Sequence, residues 1–201
     1  MEIINILGLI AFSASGVLAS KERRPDIIGG FVLAYSTSLG GGIIRDAILG
    51  VPARSFFDLS YLIVILLSAA VSMIFIEFID QHSRKLDYAD AIGLGFFNAA
   101  GFLIAYNTPG IPWLGAVILG AVTGSGGGII RDVMCDRMPY ILRTGQLYVT
   151  ACIAANIAGI ILLLLDFNQQ VTAMVISAIT ITIRVLSIKF RIKIPGYTKE
   201  K

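Results

Sequence analysis

Seven stretches of nearly unbroken apolar sequence divide this chain of 201 residues: Ile3–Ser20, Ile27–Leu49, Leu59–Ile79, Tyr88–Tyr106, Ile111–Met134, Gly145–Leu165 and Val171–Phe190. A helix needs about 20 apolar residues to cover the hydrocarbon core of a bilayer. None of the seven alternates with the polar stripe that a surface helix shows water. The pieces between them are short and polar or turn-forming, such as Lys21–Asp26, Asp80–Asp87, Asn107–Gly110 and Asp166–Gln170. Pro109 and Gly110 punctuate the third of these. None can hold a separate domain. The pattern predicts an all-α membrane protein of seven transmembrane helices, one membrane domain over 1–201. Met1-Glu2 carries no basic region and no small-residue cleavage site follows, so the first run reads as a retained helix.

Charge sorts the connections. Seven crossings put the loops 21–26, 80–87 and 135–144 and the tail 191–201 on one side, where twelve Lys and Arg residues lie if Lys189 is counted with the tail. The other side holds Arg54 alone, and Arg45, Arg131 and Arg184 lie within the apolar runs. Positive residues are retained in the cytoplasm. The expected orientation in the cell membrane is therefore amino terminus outside and carboxyl terminus cytoplasmic. Glu77 and Asp80 fall at the cytoplasmic end of the third span, as solvated charges.

The chain also repeats itself. Gly40-Gly41-Gly42-Ile43-Ile44-Arg45-Asp46 recurs letter for letter as Gly126-Gly127-Gly128-Ile129-Ile130-Arg131-Asp132. Upstream, Gly8, Leu9, Phe12, Ala14 and Gly16 recur as Gly93, Leu94, Phe97, Ala99 and Gly101 at an offset of 85. Each copy spans three crossings, repeat one over 3–80 and repeat two over 88–165, leaving an extra helix at 171–190 that completes the bundle. Three is odd, so the second copy starts from the opposite face and the halves are inverted. Inverted repeats are the usual plan of transporters and some channels, with the site at the midplane.

Glycine costs about 1 kcal/mol relative to alanine within a helix, so three in succession mark a weak point. Two readings follow: kinked or discontinuous helices meeting near the bilayer centre, or close packing of backbones. The arginine carried by both copies favours the first, with Gly40, Gly41, Gly42, Gly126, Gly127 and Gly128 as the pore kink. A charge inside a span costs roughly 3 kcal/mol on insertion scales and usually serves function. Arg45 and Arg131 are the candidates for gating electrostatics, each toward its own membrane face, with Asp46 and Asp132 as balancing charges. Adjacent residues lie about 100° apart on a helix, so neither aspartate need pair with its own arginine, and pairing across to another helix or to the other repeat is geometrically easier. Ser13, Ser36, Thr37, Ser38, Asn98, Thr123 and Ser125 are the pore-lining polar candidates, although interhelical hydrogen bonding serves any one of them equally.

Composition narrows the classes. Residues are 56% hydrophobic and 14% charged, against roughly 25% charged in soluble domains, and mean hydropathy is +0.83. A net charge of +3 gives no reason for a nucleic-acid partner. Cys135 and Cys152 lack metal-ligand spacing, and His82 is the one histidine. No nucleophile–base pair is evident, so no enzyme is expected and no cofactor or metal is called for.

At the doubled Gly-Gly-Gly-Ile-Ile-Arg-Asp, with its glycine-bearing first helices and seven-span plan, the chain resembles the prokaryotic TRIC (trimeric intracellular cation) channels of the glycine-transporter-domain superfamily. The resemblance covers residues 1–190. It implies a homotrimer in membrane lipid, each protomer with an hourglass pore lined by the second and fifth spans. It further implies conduction of monovalent cations, chiefly potassium, so that K+ or Na+ in the pore and bound lipid are the expected non-protein groups. A pore arginine repels cations and fits a gate or latch better than a selectivity ring. The alternative is a secondary transporter of glycine or another small zwitterion, whose carboxylate an arginine would hold.

Overall fold

The computed structural model describes residues 2–21, 23, 25–76, 84–143 and 147–192, the side chain of residue 54 excepted. The expectations for Glu77, Asp80, His82 and the tail beyond 192 lie outside the described residues. The described helices are α1 (Glu2–Ser20), α2 (Ile27–Leu49), a one-turn α3 (Arg54–Phe57), α4 (Leu59–Phe75), α5 (Lys85–Tyr106), α6 (Trp113–Met134), α7 (Val149–Leu164) and α8 (Gln169–Phe190). A 3-10 turn, Tyr140–Leu142, precedes α7. Capping explains several boundaries. Asp26 accepts from the Gly29 amide at 2.7 Å to start α2, and Asn168 accepts from the Val171 amide at 2.8 Å to start α8. Gly50 ends α2 at φ 66°, where a side chain would be strained. α5 begins three residues before the expected Tyr88, with Asp87 in its first turn, where the helix dipole welcomes a carboxylate.

Five of these helices, α1, α2, α5, α6 and α8, are long and apolar enough to cross a membrane, while α4 and α7 are apolar but shorter, at 17 and 16 residues. α1, α2, α5 and α6 pack together at the centre. α4 lies against α1 and α2, α7 against α5 and α6, and α8 against α5 and α7. The outer surface is apolar. Along α4 the row Leu59, Ile63, Leu67, Val71 and Ile74 is exposed, as is Ile153, Ile157, Ile161 and Leu164 along α7. Faces of that length and character are covered by lipid or by another protein surface.

Contacts between the copies are reciprocal. A Cβ on Gly41 would lie 1.9 Å from the Thr123 carbonyl oxygen, and one on Gly127 would lie 2.1 Å from that of Thr37. Likewise Gly8 abuts the Phe97 ring and Gly93 abuts the Phe12 ring. Arg23, ahead of α2, hydrogen-bonds to the Cys135 carbonyl just past α6. Leu49, at the far end of α2, packs against the buried cluster that includes Ala116 and Val117 at the start of α6. The two helices therefore run in opposite directions.

Of the two forms expected at the glycine triplets, kinked or discontinuous, the second is corrected. α2 and α6 continue as α-helix through both glycine triplets, with no discontinuity. The glycines let two backbones meet at the crossing.

Candidate functional site

The two arginines of the repeated segment sit at opposite ends of the central four helices, in different surroundings. Arg131, on α6, is 0% exposed, as are Asp90 and Asp132. Its Nη1 donates to Asp90 Oδ1 at 2.6 Å and to Ser15 Oγ of α1. Its Nε and Nη2 donate to Asp132 Oδ1 at 2.9 and 2.7 Å. The Tyr148 hydroxyl donates to Asp90 Oδ1 at 3.2 Å, and the Tyr140 amide donates to Asp132 Oδ2 at 3.1 Å. The Tyr140 and Tyr148 rings stack 5.9 Å apart over this cluster, with the Arg131 and Arg184 guanidinium groups against them. Tyr140 also donates to Asp87. Burial first, then the nearby Asp87 carboxylate, pushes its phenol pKa well up, so it remains a donor. This end is closed by a network in which nearly every polar group has a partner, which makes it costly to open.

Arg45, on α2, faces a cavity of about 480 Å³ at the other end. Its Nε and Nη2 reach Asp46 Oδ1 at 2.8 and 2.6 Å, and among the described residues it hydrogen-bonds to Asp46 alone. Asn5, Ser38, Ser55, Asp58, Tyr61 and Thr108 bring polar atoms to the lining. Its deepest members, Leu9, Leu39 and Phe97, belong to the buried core. Below them Phe12 packs on Phe97 with ring centroids 5.2 Å apart. A polar-lined cavity thus lies at one end of the four helices, the Phe12–Phe97 pair packs beneath it, and the buried ionic network fills the other end.

The comparisons fall on these same elements. The family model described as glycine transporter matches residues 2–77 and 87–164, one stretch for each copy of the repeat. The membrane protein YvgT of Bacillus subtilis is 34% identical over 97% of this chain and 95% of its own length. The chain belongs to the glycine-transporter-domain (TRIC) family. A solved TRIC cation channel is 32% identical, with a TM-score of 0.85 over 100% of this chain and 98% of its own. The TRIC trimeric intracellular cation channel orthologue from Rhodobacter sphaeroides is 28% identical, with a TM-score of 0.87 over 94% and 97%. These solved TRIC proteins are ion channels, not enzymes. With its apolar helices and these relatives, this TRIC-family chain is a membrane protein.

Against that family background the expected site residues separate. Ser38 lines the cavity and donates to the Leu9 carbonyl at 3.2 Å. Thr37, Thr123 and Ser125 donate to carbonyls four residues back in their own helices. Ser13 donates to the Ile65 carbonyl of α4 at 3.0 Å. Asn98 joins α7 and α8, donating to Thr180 Oγ1 at 3.0 Å and accepting from Asn156 at 2.8 Å. Ser36 is half-buried. Of the triplets, Gly42 lines the cavity, Gly40, Gly41, Gly126 and Gly127 are buried at the crossing, and Gly128 is buried against Tyr148 and Asp90. The expected cross-helix pairing of the aspartates is corrected: Asp46 and Asp132 each pair with the arginine before them. The long arginine side chain curls back so that two donors of its planar fork converge on one oxygen. Asp90, Ser15, Tyr140, Tyr148 and Asn5 were not anticipated. Asp90 carried a usable signal, as an acid inside an apolar span. The others carried none.

Proposed function

We propose that this protein is a channel for monovalent cations, potassium among them, working as a homotrimer in which every protomer has its own pathway. The observation that carries the reading is the one-sided passage between α1, α2, α5 and α6: a polar-lined cavity ends at mid-depth, and a dry ionic network locks the far end. The glycine triplets on α2 and α6, the second and fifth spans, set the waist. Arg45 with Asp46, and Arg131 with Asp132, control the two mouths. Reciprocal, oppositely directed contacts between the copies support two inverted three-helix repeats, with α8 as the added seventh span. The cluster of Lys and Arg at the locked end supports a cytoplasmic lock and an outward-facing cavity. Neutral hydroxyls along the passage suit a partly dehydrated ion, and the arginine acts as a latch rather than a selectivity ring.

The test is single-channel recording of the purified protein in asymmetric KCl. Unitary currents reversing near the potassium potential are expected, with open probability raised by Asp90→Asn, which removes one carboxylate from the lock. A cavity open to one side also fits alternating access. Saturable uptake of labelled glycine into proteoliposomes without unitary currents would select that transporter reading and reject the channel.

A further inference from the structure

Phe12 and Phe97 occupy equivalent positions in the two copies, at the offset of 85, and their rings meet with centroids 5.2 Å apart. The pair lies between the two arginines. Phe97 lines the same cavity as Arg45. Phe12 stands about one turn from Ser15 on α1, and Ser15 Oγ accepts from Arg131 Nη1. A Cβ on Gly127, about one turn before Arg131 on α6, would lie 2.9 Å from Phe12 Cε2.

The two rings are held differently. Phe12 is wholly buried and seated on Gly93 and Gly127, where a methyl group on either glycine would strike it. Phe97 rests on Gly8, whose Cβ would lie 3.1 Å from its Cε2 and Cζ, and it borders the cavity of about 480 Å³. One ring is wedged; the other has open volume beside it. The surroundings of the pair are apolar, with Leu9 and Leu39 buried in the same cluster and Ile43 packed against it. The neighbouring hydroxyls already donate to main-chain carbonyls: Ser13 to Ile65, Thr37 to Leu33, Ser38 to Leu9 and Thr123 to Leu119. An apolar space of this kind stays dry, and apolar constrictions gate pores by excluding water.

We propose that the Phe12–Phe97 layer is a hydrophobic gate, distinct from both arginines, which opens when Phe97 turns aside into the cavity and water fills the gap. The gate rests on the channel reading given above. It adds to that reading a barrier at mid-depth that is set by polarity, where the barriers at the two ends are set by charge.

The experiment compares two substitutions of equal size and opposite polarity, Phe97→Leu and Phe97→Asn. Each is made in the full-length protein together with Asp90→Asn, so that the far-end network is loosened in both. Unitary currents are recorded in asymmetric KCl, and osmotic water permeability of proteoliposomes is measured by stopped-flow light scattering. An amide in the layer favours its wet state over its dry one, so Phe97→Asn should exceed Phe97→Leu about tenfold or more in open probability, and in water permeability likewise. If Phe97→Asn is not recovered folded, as judged by its melting temperature, Phe97→Thr and Phe97→Val make the same comparison. Greater water permeability in the polar variant without current from any variant sustains the gate and rejects the channel reading. Potassium currents with equal open probability and equal water permeability in the matched pair overturn the gate and leave the channel standing. Neither current nor water flow above that of empty liposomes overturns both.

Discussion

Replacing Gly41 by alanine tests the crossing of α2 and α6 most directly. The added methyl would lie 1.9 Å from the Thr123 carbonyl oxygen, 3.0 Å from its carbonyl carbon and 3.4 Å from the Gly127 amide nitrogen. These are main-chain atoms within a helix, and no side-chain rotation relieves them. The helices must separate by well over an ångström for an ordinary contact of about 3.5 Å. That separation also loosens the neighbouring approaches of Gly126 and Gly127. Overpacking typically costs about 1–3 kcal/mol, and a backbone clash at the centre of four helices belongs at or above the upper end. Alanine returns about 1 kcal/mol through helix propensity, leaving a net loss of about 2 kcal/mol or more. Gly42→Ala is the internal control, because its methyl meets nothing nearer than 3.7 Å and the same propensity gain applies. Unfolding of the detergent-purified protein, followed by circular dichroism with increasing temperature, compares the two. Gly41→Ala should melt well below the wild type and Gly42→Ala at or slightly above it. Equal melting of Gly41→Ala and wild type would refute the close-packing account.

Tyr148→Phe removes one hydrogen bond from the lock, about 1 kcal/mol, and should shift the closed-to-open equilibrium about fivefold toward open in bilayer recordings. Asn156→Ala strands the Asn98 amide oxygen and frees the Val117 carbonyl, costing about 1–3 kcal/mol of thermal stability. Combined with Thr180→Val, it should be non-additive, because both side chains bond to Asn98. Tyr140 titrates higher in the folded chain than its unfolded value of about 10, so folding favours the neutral phenol. Stability should therefore be insensitive to this group below about pH 10 and fall as pH rises above it, less steeply in Tyr140→Phe. Melting temperatures measured from pH 8 to 11 check this, and identical slopes would refute it.

The helical plan was legible because lipid imposes a length and a composition that few other environments demand. The doubled Gly-Gly-Gly-Ile-Ile-Arg-Asp pointed to the helices that cross at the centre and to both arginines for a similar reason, since arginine and aspartate are rare in such runs. What escaped were features that do not repeat. Matching the copies by identity at the offset of 85 hides Asn5 against Asp90 and Ser15 against Ala100, mismatches that leave Arg45 with fewer partners than Arg131. Tyr140 and Tyr148 reach the network through a 3-10 turn and a helix start, whose path no periodicity announces. The glycine triplets suggested weakness when read on one helix alone. Only the facing backbone reveals that they serve contact.

A crossing at which main chain meets main chain at Gly41 and Gly127, with Ile44 and Ile130 reaching across beside it, has the mechanics of a fulcrum. With Gly41 and Gly127 fixed against each other, α2 and α6 can alter their angle only as scissors do, each arm swinging in opposite senses on the two sides of the rivet. Arg45 rides one arm and Arg131 the other, so a tilt that disturbs the buried Arg131 network also displaces Arg45 at the far end.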